Sequence, residues 1–332
     1  MLVLLVGTGL YLTVSLRFFS FRNWVRAYKC LWEGRKHQSE HGEVSPWNAL
    51  MTALAADIGT GNIVGVATAI TLGGPGALFW MWVTALVGMM TKFSEVLLSV
   101  HFREKTPAGN WVGGAMYFIK NGLGKNYIWL ATSFAVFGMI ACFGIGAMVQ
   151  ANSISVNLAK TVHVPEWGTA LGLLFFAGIV LVGGVKRVGA VAGKVPFMAV
   201  IYIVMCLVII FMNIDRVPFV FWWVISDAFT PTAAQGGFVG ASVMMAIRMG
   251  MARGVFSNEA GLGSAPMAHA ASTAESPLVQ ASIGMLDVFI DTIIVCSMTG
   301  FVILVSLDPA GQPLWSSGMG GGVLTAAAFQ YN

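Results

Sequence analysis

Charge is what this 332-residue sequence has least of. Asp, Glu, Lys and Arg together make up 10% of it, against 57% hydrophobic residues. A water-soluble chain of this length needs far more charge to cover its surface, so the balance indicates a membrane class. A mean hydropathy of +0.79 agrees. Cysteine is sparse too. Cys30, Cys142, Cys206 and Cys296 stand far apart. No C-x-x-C spacing offers a zinc site or a redox pair, and they read as small apolar filler. No low-complexity tract, Ser/Pro-rich linker or soluble domain interrupts the chain, and one membrane domain over 1–332 is the simplest organisation. Basic residues form no stripe with interleaved aromatics, so nucleic acid is not an expected partner. Residues 1–16 lack a basic leading region and a small-residue cleavage site, so a signal peptide is not expected.

Long apolar runs are what the sequence has instead. Runs near the ~20 residues of a crossing helix predict about eight membrane segments. They are 1–16 (short for a full crossing), 49–73, 75–101, 126–156, 167–184, 195–213, 236–270 (interrupted) and 281–306. Lys and Arg cluster in 17–36, 103–125 and 186–194, which hold 13 of the 18. By the positive-inside rule those three segments face the cytoplasm. Alternation then puts 73–76, 157–166, 214–235 and 307–322 outside, and 271–280 inside. The aromatic stretch 218–229 suits an outer interfacial helix, and 111–119 a short cytoplasmic one. An apolar run at 323–329 is too short to cross a bilayer, and the sequence is expected to be C-terminally truncated.

Two of these segments are broken by glycine-dense polar stretches: Asp57-Ile-Gly-Thr-Gly-Asn-Ile-Val-Gly65 and Gly250-Met-Ala-Arg-Gly-Val-Phe-Ser-Asn-Glu-Ala-Gly-Leu-Gly263. Orphaned backbone groups in hydrocarbon cost several kcal/mol each, on the order given by. Breaks survive only where protein, water or solute meets those groups. Half of a ~30 Å core at 1.5 Å per residue is about ten residues, which carries a helix starting at Ala49 to Gly59. Exposed carbonyls there suit a cation, and exposed N–H groups of the next half-helix suit a carboxylate. Asp57, Gly59 and Thr60 are the candidate cation groups. The alternative is close helix packing of the G-x-x-x-G kind.

The second break concentrates Arg253, Ser257, Asn258 and Glu259, and intramembrane ionisable groups are functional candidates by default. An Arg253–Glu259 pair that only ties the segment together is the other reading. On 126–156, Gly146 and Gln150 share a face, either beside a ligand or as polar glue between helices. Lys92 and Glu95, three apart, form a candidate ion pair with Lys92 snorkelling. Asp287 and Asp291 share a face and either cap polar groups or border a cation path. Gly59-x-Gly61-x-x-x-Gly65 lacks the preceding strand of a dinucleotide loop, and 189–194 lacks phosphate-loop spacing. Nothing reads as an enzyme, and no organic cofactor is expected.

Gly59 to Ile70, Gly73-Gly-Pro-Gly-Ala-Leu-Phe-Trp-Met-Trp82, and Arg253-Gly-Val-Phe-Ser-Asn-Glu-Ala-Gly-Leu-Gly-Ser-Ala-Pro-Met-Ala-His269 resemble the alanine or glycine:cation symporter family. The resemblance runs from Met1 to about Phe329. It implies an all-α integral membrane protein of LeuT-type fold, two inverted repeats of discontinuous helices preceded by one extra helix, in which 49–73 opens the first repeat and 236–270 the second. It implies a multi-pass transporter of the plasma (cell inner) membrane with three partners: the lipid bilayer, sodium as coupling ion, and alanine or glycine as substrate. Thr60, Gly61 and Asn62 are then expected at the substrate, with Gly146 and Gln150 across from them and Phe256, Ser257 and Asn258 completing the pocket. Family members carry further helices after 281–306, so the second repeat is expected to be incomplete and the cation site half present. A channel-like pore and a non-transporting fragment are the alternative functions.

Overall fold

In a computed structural model the chain is described over residues 1–33, 42–230 and 243–332. The opening of the segment expected at 236–270 and parts of the loops expected at 17–48 and 214–235 lie outside the described residues. What is described is mostly helical, with a small hairpin that pairs Glu104–Lys105 with Trp111–Val112. Helix α1 is Leu2–Ser15. Helix α2, Pro46–Asp57, begins as its sequence directs: Ser45 accepts the amide N–H of Asn48 as N-cap, and a proline occupies the first turn. The chain leaves α2 at Ile58, takes one wide turn at Gly61–Gly65 and continues as α3, Val66–Gly73. The two halves meet at a 48° bend.

Gly74 ends α3 with φ +76, a left-handed conformation that glycine adopts without strain. Helix α4, Gly76–His101, follows at once. Its N-terminus is capped across space, because Asp227 Oδ2 accepts the Gly76 N–H at 2.8 Å. Residues 125–161 then run as one apolar helical length, α5 (Ile128–Ala141) and α6 (Val149–Thr161), joined by a widened stretch at Cys142–Met148. Helices α7 (Glu166–Val182), α8 (Val195–Met212) and α9 (Val217–Asp227) follow. Helix α10, Val243–Asn258, is the first half of the second interrupted helix, and α11, Ala265–Ala270, is the other. Helix α12, Pro277–Val288, passes through a wide stretch at Phe289–Cys296 into α13, Ser297–Val305, and α14 is Gly321–Gln330.

Among the described residues four helical lengths are long and apolar enough to cross a membrane, and five when the bent α2–α3 pair is one span. Burial divides them. Helices α4 and α12–α13 are mostly enclosed by protein, whereas α5–α6 and α8 present large apolar side chains such as Phe137, Phe143 and Phe197 outward. That distribution, apolar both inside and outside, is that of a multi-pass membrane protein, in which lipid replaces water around the outer helices.

The enclosed centre consists of the two broken helices, α4 and α12. Helix α10 lies on α3, and α11 on α2. The pairing is antiparallel: Gly61 faces Ser257, Gly65 faces Arg253, and Gly73 faces Ala246 and Met249. Each half of one interrupted helix thus lies beside the opposite half of the other. Helix α4 backs both, packing on α10 and α12.

Candidate functional site

The first break is satisfied by side chains from nearby and far away. Gly59 donates its N–H to Asn62 Oδ1 at 2.8 Å, and Thr60 donates its N–H to Gln150 Oε1 at 3.2 Å. The Thr60 hydroxyl, though buried, has no hydrogen-bond partner among the described residues. The second break turns through Glu259, Gly261 and Gly263, all at positive φ. Asn258 Oδ1 accepts the Ala260 N–H at 3.1 Å, and Glu95 Oε2 accepts the Gly261 N–H at 3.1 Å. The Ser264 hydroxyl donates to the Glu259 carboxylate. Freed amides are therefore met by protein, as the cost of orphaned groups in a membrane requires.

Between the breaks lies a cavity of about 260 Å³. Gly59, Gly61, Gly146, Gln150 and Phe256 border it, together with Asp57 and Glu259. Binding sites for drug-sized molecules run to roughly 300–1,000 Å³, so this cavity suits a smaller solute. Its wall combines three glycines, an amide, two carboxylates, one aromatic ring and the small apolar surface of Ala55, Ala56 and Ile58.

Asn62, Ser257 and Asn258 stand behind that wall, with their side chains turned to the helix beyond it. Asn62 Nδ2 donates to Asp291 Oδ1 at 2.6 Å and to the Asp291 carbonyl at 3.1 Å. Ser257 Oγ donates to Asp291 Oδ2 at 2.8 Å, and so does Thr292 Oγ1, also at 2.8 Å. Asn258 Nδ2 donates to Thr292 Oγ1 at 3.1 Å. Asp291 is wholly buried, and among the described residues no Lys, Arg or His forms an ion pair with it. An uncompensated carboxylate in such surroundings is costly, and the carboxylate with the Ser257 and Thr292 hydroxyls offers oxygens of the kind a small hard cation takes, while Asn62 presents its amide nitrogen. The sequence marks Asp291 as bordering a cation path, whereas its neighbour Thr292 is passed over. The signal was present, since an intramembrane Asp beside Thr in an apolar run is itself a flag.

Two contacts offered by the sequence differ from those observed. Lys92 does not pair with Glu95 or snorkel. It is fully buried and lies 3.2 Å from Asp57 Oδ2 and 3.1 Å from Asp287 Oδ2, while Glu95 is taken by the Gly261 amide. Two carboxylates on neighbouring elements outcompete one on the same helix that already holds a backbone donor. Arg253 and Glu259 form no ion pair: Arg253 lies over the Phe256 ring, 5.8 Å from its centroid, and Glu259 is held by Ser264. Asp287 faces Lys92, and Asp291 faces the Asn62–Ser257–Thr292 cluster.

Comparison with known proteins adds the lineage. The family model described as "Sodium:alanine symporter family" matches residues 1–332. The sodium/alanine symporter AgcS of Methanococcus maripaludis is 45% identical over 332 residues, 99% of this chain and 72% of that protein. An uncharacterized transporter of Haemophilus influenzae is 50% identical over 308 residues, 92% of this chain and 67% of its own length. The probable sodium/glutamine symporter GlnT of Bacillus subtilis is 37% identical over 329 residues, 99% of this chain and 66% of that protein. These relatives are named as transporters and not as enzymes. With buried broken helices, a cavity between them and a family match over residues 1–332, this chain belongs to the sodium:alanine symporter family.

Proposed function

We propose that this chain carries out sodium-coupled symport of a small neutral amino acid, alanine or glycine, across the plasma membrane by alternating access. The observation that carries the reading is the cavity in which both interrupted helices and the amide of Gln150 meet. An amino acid presents a carboxylate and an ammonium group, and the two breaks offer a group for each. Its carboxylate would replace Gln150 Oε1 as acceptor for the Thr60 N–H, at the positive end of the half-helix that begins at Gly61. The unpartnered Thr60 hydroxyl is a second donor there. Its ammonium would meet the carbonyl end of α10 and the Glu259 carboxylate.

A methyl side chain contributes only about 0.8 kcal/mol on burial, so these polar contacts must supply most of the affinity. Phe256 closes the apolar side and would exclude larger side chains by clash. In this reading Gly61, Gly146, Gln150 and Phe256 touch the solute, and Asn62, Ser257 and Asn258 hold the wall in place from behind. Asp291 is the anion that sodium would neutralise, with Asn62, Ser257 and Thr292 around it. Asp57 faces Lys92 with one oxygen, so it serves the cation less directly than Asp291. The antiparallel packing of α2–α3 on α10–α11 supports a LeuT-type inverted repeat, and two such helices rocking against α4 and α12 would open the cavity to each side in turn.

The test is radiolabelled alanine binding to the purified protein across a sodium series, followed by counterflow in proteoliposomes. Saturable, sodium-dependent binding that glycine competes with and glutamine does not is the expected result. Binding indifferent to sodium would sink the coupling, and conductance without saturation would replace symport with a pore.

A further inference from the structure

Lys92 is the largest fully buried side chain among the described residues, and nothing in the solute pathway proposed above uses it. It projects from α4, while its two partners come from elsewhere. Asp57 is the last residue of α2, immediately before the first break, and Asp287 lies near the end of α12. Among the described residues Lys92 donates a hydrogen bond only to Asp57 Oδ2; Asp57 Oδ1 and both oxygens of Asp287 have no hydrogen-bond partner, and Asp287 meets Lys92 as an ion pair. Both carboxylates are thus organised around a charge, where ordinary buried carboxylates are held by a set of amides and hydroxyls. Asp57 also borders the cavity, and the chain reaches the Gly59 and Thr60 amides within three residues of it.

We propose that Lys92 is a tethered cation occupying an ion-binding position between Asp57 and Asp287, a positioning residue that fixes the end of α2 against α12. The geometry has the form of a monovalent cation site, two carboxylates from different helices converging on one charge, with a side-chain ammonium fixed where a diffusible ion would sit. Because the ammonium cannot leave, this position keeps its cation through the transport cycle. Exchangeable sodium is then left to the Asp291 cluster, and on that point the inference rests on the function proposed above.

The consequence is that removing the ammonium creates a vacancy that a small cation fills. In Lys92→Ala, two buried carboxylates lose their counter-charge, which strongly destabilises a protein interior. Any cation that binds only the folded state then raises the melting temperature with its concentration. The experiment measures thermal unfolding of detergent-purified protein in choline, sodium or ethylammonium chloride, with Asp291→Asn as background so that the other cluster does not respond. Lys92→Ala in that background is expected to melt lower in choline and to recover in ethylammonium and in sodium. Lys92→Met, of similar length and uncharged, is expected to stay unstable in choline.

If Lys92→Ala folds only when ethylammonium is supplied, the proposal stands. If it is insensitive to both cations, if it cannot be folded in any of them, or if Lys92→Met melts like the parent, Lys92 is a packing residue and the proposal falls. None of these readings uses the amino acid. Failure of sodium-dependent alanine binding in the unaltered protein would therefore overturn the transport reading and leave this one to be decided separately.

Discussion

Asp291 accepts hydrogen bonds from one amide and two hydroxyls and faces no basic side chain among the described residues. Its replacement by Asn keeps the shape and removes the charge. Interactions with a charged partner contribute about 1.5–3 kcal/mol, so Asp291→Asn is expected to raise the sodium concentration for half-maximal alanine binding by roughly ten- to a hundredfold. Asp308→Asn, in an exposed loop, is the control and should leave the sodium curve in place. Equal curves for both variants would remove sodium from Asp291. Phe256 sets a second expectation. Phe256→Ala opens the apolar wall of the cavity, and competition binding should then show glutamine displacing labelled alanine, which the parent protein resists. At this scale the sequence was partly legible. Residue type marked Asn62, Ser257 and Asn258 as site residues, because polar side chains in an apolar span need a reason. Type does not reveal direction, and the structure turns all three away from the cavity toward residues 291–292, more than thirty positions on in the chain. Lys92 was misassigned for the same reason. A neighbour three residues away is visible in a sequence, while Asp57 and Asp287 are made neighbours only by folding.

Among elements, the broken helices depend on close approach as much as on their breaks. A Cβ added at Gly250 would lie 2.3 Å from the Ala77 carbonyl oxygen and 2.6 Å from Trp80 Cβ. Backbone of α4 cannot yield, so α10 would have to move. Overpacking of this kind costs typically 1–3 kcal/mol. Gly172, in the exposed α7, meets nothing within 4 Å. There a methyl group costs no space and gains up to about 1 kcal/mol of helix propensity. Gly250→Ala is therefore expected to melt several degrees below the parent in detergent, and Gly172→Ala at or above it. Comparable losses in both would mean that glycine at 250 serves helix flexibility and not the contact with α4. The positions of the breaks were legible because glycine clusters in membrane-length runs are physically expensive. The wide turns at Cys142–Met148 and Phe289–Cys296 were not. Those segments are as apolar as their flanks, so nothing in their composition sets them apart. The second widening matters for the site, since it carries Asp291 and Thr292 toward both breaks.

For the whole molecule, contacts between distant segments define two ends. At one, Arg103 Nη1 donates to the Ala270 and Ser272 carbonyls, the Glu43 N–H donates to the Ala271 carbonyl, and the Trp111 N–H donates to the Glu43 carboxylate. At the other, Asp227 caps Gly76, Arg216 Nη1 donates to the Val305 carbonyl, and Ser306 Oγ reaches the Ala328 carbonyl. The first end carries the basic segment around 103–125, and the positive-inside rule assigns it to the cytoplasm. Alternating the spans in sequence, anchored on the same basic segments, places the other loops consistently with that orientation. Cysteine labelling decides it. Lys120 is exposed beside the hairpin and paired with Glu104 at 2.8 Å. An exposed pair is worth about 0–1 kcal/mol, so Lys120→Cys should fold normally. Ala310 lies in an exposed turn between α13 and α14 at the opposite end. With Cys142, the exposed native thiol among the four cysteines, replaced by Ser, a membrane-impermeant maleimide applied to intact cells should label Ala310→Cys at once. It should label Lys120→Cys only after the membrane is opened. The reverse pattern would turn the molecule over, and with it the side from which the cavity takes its solute under an inward sodium gradient.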